Sequence, residues 1–98
     1  MQVIALRTLK QFWALHDQPE VSLRAWHAVA SAAVWNTPRD IKIEFGATVD
    51  FIKDNRVIFD IGGNRFRLIV HVSYTYKLIL VKFIGTHKEY DRINLETV

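Results

Sequence analysis

The chain has 98 residues, half of them hydrophobic and 23% charged, which excludes intrinsic disorder and sets the size at a single domain spanning 1–98. It has no cysteine, so a disulfide scaffold and a thiolate metal site are both excluded, and no apolar run reaches the ~18 residues of a membrane span. The net charge is +3, and the excess sits late: from Arg56 to Arg92 seven bases face three acids, a weak pointer to an anionic partner.

Gln2 to Ala5 is β-compatible and predicts a short first strand. Leu6 to His16 predicts a helix, with Leu6, Leu9, Phe12 and Trp13 on or near one stripe. Asp17-Gln18-Pro19-Glu20 stops that helix and starts another, because proline suits a first helical position and Glu20 the positive end of the helix dipole. The second helix is expected from Val21 to Trp35, with Leu23, Trp26, Ala30 and Ala33 facing the core. Thr37 caps a short third helix that begins at Pro38 and runs to about Phe45, and Gly46 to Asn55 reads as irregular or hairpin-like.

Arg56 to Ile61 alternates as a strand, and Gly62-Gly63-Asn64 is a hairpin turn. Arg65 to Tyr76 is the longest predicted strand. Phe66, Leu68, Val70, Val72, Tyr74 and Tyr76 share one face; Arg65, Arg67, Ile69, His71, Ser73 and Thr75 share the other. After a turn at Tyr76-Lys77, Leu78 to Gly85 makes the next strand. Thr86 and Glu89 form a capping box for a short helix from His87 to about Leu95. Helices first and an antiparallel meander second give an α+β fold, with one sheet face against the helices and the other partly wet. The first residues lack a basic start, a long apolar stretch and a small-residue cleavage site, so a reducing, cytoplasmic compartment is expected.

Two clusters could carry chemistry. Arg65 and Arg67 lie roughly 7 Å apart on one strand face, with His71 further along it, a spacing that suits phosphate oxygens. The same pattern also fits a solvated strand face. The second cluster, Thr86-His87-Lys88-Glu89-Tyr90-Asp91, places an imidazole, an ammonium, a phenol and carboxylates in one turn. A plain capped helix would use Thr86 and Glu89 equally well. His16 and His27 have no partner at metal-ligand spacing, the three tryptophans suit core packing, and the glycine pair lacks a P-loop lysine. No metal or cofactor is expected.

The stretch from Val57 to Ile69, followed by Thr86 to Asp91 and preceded by Trp35 to Lys42, resembles the HigB-type toxins of the RelE superfamily. Two positions depart from the pattern: Asp60, where asparagine is expected, and Arg65, where lysine is more usual. The resemblance implies a RelE-like α+β domain, with N-terminal helices on a small, mainly antiparallel twisted sheet and a short C-terminal helix. It implies a toxin of a type II toxin–antitoxin system that cuts translated mRNA on the ribosome. The implied partner is a HigA-like helix-turn-helix antitoxin, through which alone the toxin would meet operator DNA; no membrane is involved.

Metal-independent RNA cleavage needs a base for the 2′-OH, an acid for the leaving oxygen and cations for the developing charge. The candidates here are Arg67 as phosphate clamp, assisted by Arg65, with His87 as base or acid and Tyr90 as its partner or as an orienting group. His71, Lys82 and Lys88 would contact RNA, with Asn64 and Asp91 in support. Two other readings compete: a non-catalytic RNA- or ribosome-binding module that blocks translation by occupancy, and a structural interaction domain. Patterning alone does not separate them.

Overall fold

A computed structural model describes residues 1–98. In chain order the elements are β1 (Gln2–Ile4), α1 (Leu6–Leu15), α2 (Pro19–Ala32), α3 (Pro38–Phe45), a 3₁₀ turn (Gly46–Thr48), β2 (Val49–Ile52), β3 (Arg56–Ile61), β4 (Phe66–Ser73), β5 (Leu78–Thr86) and α4 (His87–Tyr90). The fold class is the expected α+β one: a five-stranded sheet of order β1-β5-β4-β3-β2, antiparallel except for the parallel β1–β5 pair at one edge.

The helices form where start signals and apolar stripes coincide. Pro19 and Pro38 each occupy a first turn, where the missing N–H costs nothing. Thr37 and Asp40 close a full capping box on α3. α1 buries Leu9 and Phe12, and α2 buries Leu23, Trp26 and Ala30. These meet Val57, Phe59, Leu68, Val70 and Val72 from the sheet in one core. A chain of edge-to-face aromatics, Trp26–Phe59–Phe45–Trp35, joins α2 and α3 to β3. Trp35 is fully buried and donates from Nε1 to Glu44 Oε1 at 2.9 Å, so its one polar atom is satisfied.

Four boundaries differ from expectation. α2 ends at Ala32 rather than Trp35, because the chain must extend there to swing Trp35 back under α3. The segment expected to be irregular contains β2, which pairs with β3 as the far edge of the sheet. β4 stops at Ser73, leaving Tyr76 exposed in a turn where Lys77 has φ 57°. α4 is a single turn ending at Tyr90, not a helix to Leu95.

The second sheet face is drier than its pattern suggests. Ile58 is 4% and Ile69 0% exposed there, although both stand outside the main core. The chain after α4 reaches this face at Arg56. The Arg56 guanidinium, nearly buried, holds it by donating to the carbonyls of Val98 (2.8 Å) and Glu96 (3.5 Å), and to Lys53 O (3.2 Å).

Candidate active site

The hairpin between β3 and β4 sets the first half of the site. Gly62, Gly63 and Asn64 all have positive φ, at 64°, 64° and 78°, which only glycine and asparagine adopt cheaply. Ile61 pairs with Phe66, and this register puts Asp60 directly opposite Arg67. Arg67 Nε lies 3.1 Å from Asp60 Oδ1. Its Nη1 donates to the carbonyls of Asn64 (3.2 Å) and Phe66 (3.3 Å). Nη2 makes no hydrogen bond to the protein. Arg67 is thus an oriented, largely buried guanidinium and not a free surface charge.

The end of β5 sets the other half. Gly85 pairs with Arg67 from the opposite side. A Cβ on Gly85 would stand 2.5 Å from Phe83 Cζ and 3.2 Å from Glu89 Cβ, so glycine lets the Phe83 ring and α4 close in beside Arg67. α4 then starts with the expected capping box: Thr86 N donates to Glu89 Oε1 (2.9 Å), and Glu89 N donates to Thr86 Oγ1 (3.1 Å). The hydrogen bond from Thr86 N is the main cause holding the Glu89 carboxyl below its ordinary value; His16 and Arg92 add smaller pulls. His87 N donates to Arg65 O at 3.0 Å, which ties α4 to the hairpin.

With α4 seated, three side chains converge. The Arg67 guanidinium lies over the Tyr90 ring, 5.5 Å from its centroid, and the His87 and Tyr90 rings are 6.3 Å apart. His87 Nδ1 lies 3.2 Å from Asp91 Oδ2. A carboxylate only accepts, so Nδ1 carries the proton at this contact, and in the neutral ring the lone pair is then on Nε2. Burial pushes the Tyr90 phenol above its ordinary value, aided by Asp50, Asp60 and Asp91 and opposed by Arg67. Tyr90 therefore keeps its proton at neutral pH and is a donor.

The other sequence candidates sort by distance. Arg65 and Asn64 sit in the hairpin loop beside Arg67, and Lys88 follows His87; all three are exposed. His71 lies four residues beyond Arg67 on β4, about 13 Å along the strand, opposite Arg56 and Leu80. Lys82 is the extra residue of a bulge in β5, where Ile69 pairs with Phe83 and Val70 with Val81. Neither His71 nor Lys82 joins the cluster. Asp60 does join it. The sequence shows its charge, but its contact with Arg67 depends on the loop being four residues long and not three. His16 also reaches this end of the molecule, stacked on Phe12 at 4.1 Å, with no sequence signal because α1 and α4 are remote in the chain. No group of three or more histidine, aspartate or glutamate side chains is placed to hold a metal ion. A cleft of about 290 Å³ between α2 and β3 reaches Asp60 and is otherwise mainly apolar.

The chain matches the HigB toxin family, described as a RelE-like toxic component of a toxin–antitoxin system, over residues 19–93. It is similar to an mRNA interferase HigB of Escherichia coli O6:H1, 24% identical over 95% of this chain and 91% of the relative. It is also similar to an mRNA interferase toxin HigB of Escherichia coli K12 and an mRNA interferase HigB of Shigella flexneri. Each is 26% identical over 93% of this chain and 88% of the relative.

Proposed function

The chain belongs to the HigB family of RelE-like toxins, and from that premise we propose that it is the toxin of a toxin–antitoxin pair, an endoribonuclease that cuts mRNA during translation. The observation that carries this reading is the His87 imidazole, fixed by Asp91 with Nε2 free, beside an oriented Arg67 and a protonated Tyr90.

His87 Nε2 takes the 2′ proton. The 2′ oxygen then attacks the adjacent phosphorus in line, forming a 2′,3′-cyclic phosphate as the bond to the 5′ oxygen breaks. Tyr90 donates a proton to that leaving 5′ oxygen. Arg67 meets the charge that builds on the non-bridging oxygens. Asp91 holds the base in the productive tautomer, as the buried carboxylate does in a catalytic triad. Arg65 and Lys88 sit where flanking phosphates would pass, and Lys82 and His71 lie further along the same sheet as more distant contacts. The small net charge of +3 supports weak binding of free RNA, with the ribosome supplying much of the alignment. The antitoxin in this reading is HigA-like, and it alone brings the toxin to operator DNA. The compartment is the cytoplasm, where translated message is found.

The test is induced expression of the wild-type chain and of His87→Ala in a bacterial host, with 5′ ends mapped across a well-translated message. Cuts inside the reading frame that vanish in His87→Ala are expected. Growth arrest with intact messages would replace cleavage by ribosome occupancy.

A further inference from the structure

Asp60 touches the guanidinium that the proposed reaction needs, and nothing in that reaction uses it. An arginine grips phosphate best with two parallel bonds from one forked edge. Both forked edges of Arg67 include a nitrogen that is already engaged. Nε faces Asp60 at 3.1 Å, and Nη1 faces the carbonyls of Asn64 and Phe66. Only Nη2 is unengaged. The two carbonyls belong to the hairpin backbone and are fixed by its register. The Asp60 carboxylate is a side chain, 26% exposed, and it alone can let go. It also brings a negative charge to the place a phosphate must approach.

We propose that Asp60 is a positioning residue that sets how tightly this site holds a backbone phosphate. Its ion pair with Nε aims Arg67 across the Tyr90 ring. By its charge, and by closing the Nε edge, it confines an entering phosphate to Nη2 until the ion pair opens. This rests on the reading that Arg67 meets the substrate phosphate. Two properties of Asp60 are thereby separable. As a polar side chain packed 3.1 Å from Nε it orients Arg67 and supports the rate; as an anion it competes with substrate and weakens binding.

The experiment compares the full-length wild type with Asp60→Asn and Asp60→Ala, all checked for folding by thermal melting. Two readouts are taken. One follows the Arg67 Nε–H signal in ¹⁵N-resolved NMR of the free protein titrated with inorganic phosphate. The other is single-turnover cleavage of message on programmed ribosomes, giving a maximal rate and a half-saturating concentration. Asp60→Asn keeps a polar oxygen of the same size beside Nε and loses the charge, so phosphate affinity rises and half-saturation falls, each by about five- to tenfold. Asp60→Ala loses both properties, and its maximal rate falls by about tenfold to a hundredfold, which Asn largely restores. Equal phosphate affinity and equal half-saturation in wild type and Asp60→Asn would overturn the proposal. A rate no better in Asn than in a folded Ala variant would do so too. If the wild type cleaves nothing, it is the proposed function that fails. The phosphate titration then decides alone: tighter binding by Asp60→Asn upholds the hold of Asp60 on Arg67, and unchanged binding refutes it.

Discussion

His87 and Asp91 are four residues apart on one helical turn, and their contact does more than join two polar groups. With Asp91 as the acceptor, Nδ1 is the protonated nitrogen of the neutral ring, and in the proposed reaction Nε2 is the one that meets substrate. Asp91→Asn is expected to keep the fold and reverse that choice, because an amide NH₂ can donate to Nδ1 and leave the proton on Nε2. The cleavage rate should fall by about a hundredfold or more. Single-turnover kinetics would measure the loss, and the ¹⁵N shifts of the His87 ring would show the tautomer change. An unchanged rate with the ring proton moved to Nε2 would mean that Asp91 does not orient the base. At this scale the sequence showed the pairing, since the spacing of three and four puts Tyr90 and Asp91 beside His87 on any helix. It did not show that Asp60 meets Arg67, because one residue more or less in the hairpin loop would turn Arg67 toward another partner.

α4 owes its place to its cap. Glu89 is held below its ordinary value chiefly by the hydrogen bond from Thr86 N. A depressed carboxyl stabilises the folded form at pH values above its unfolded pKa, and the contribution disappears as the pH falls through the lower folded value. The turn that carries His87 and Tyr90 should therefore loosen on the acid side of the ordinary glutamate range and stay intact at neutral pH. Amide exchange at Thr86 and Glu89, followed as the pH is lowered, would show this as selective loss of protection. In Thr86→Ala the protection should already be reduced at neutral pH, at a cost of about 1 kcal/mol. The capping box was legible from Thr86 and Glu89 alone, as was the one at Thr37 and Asp40. The length of α4 was not. Beyond Tyr90 the chain leaves the helix, with Ile93 and Leu95 half-buried and the Glu96 and Val98 carbonyls bonded to Arg56.

Across the whole molecule, the terminal segment links the site to the other end of the same sheet face. Arg56 is 7% exposed, and two of its three carbonyl partners lie on that segment, at Val98 and Glu96. Arg56→Ala leaves those carbonyls without a charged donor. A destabilisation of about 2–3 kcal/mol is expected, read as a lower denaturant midpoint. Faster amide exchange from Tyr90 to Val98 should accompany it. The cleavage rate should fall as well, because Tyr90 opens that segment and lies over Arg67. A variant with a normal midpoint and normal exchange would show that the tail is held by something other than Arg56.

The sequence by itself determined the α+β class, the helix starts, the hairpin, the helix-facing pattern of β4 and the Thr86–Asp91 turn. All of these rest on local chemistry: caps, turn residues and a two-residue alternation that operate within a few positions. The tertiary structure decided what depends on distant chain segments meeting. β2 became a strand because β3 offered it an edge, and Trp35 left the helix because α3 and the aromatic chain offered it a buried place. The face expected to be partly wet holds Ile58 and Ile69 buried and Arg56 bonded to the chain's last residues. Arg67 was placed between Asp60, Gly85 and Tyr90, which come from three different elements. Such positions are fixed by register, bulge and burial acting together, and no local pattern contains them.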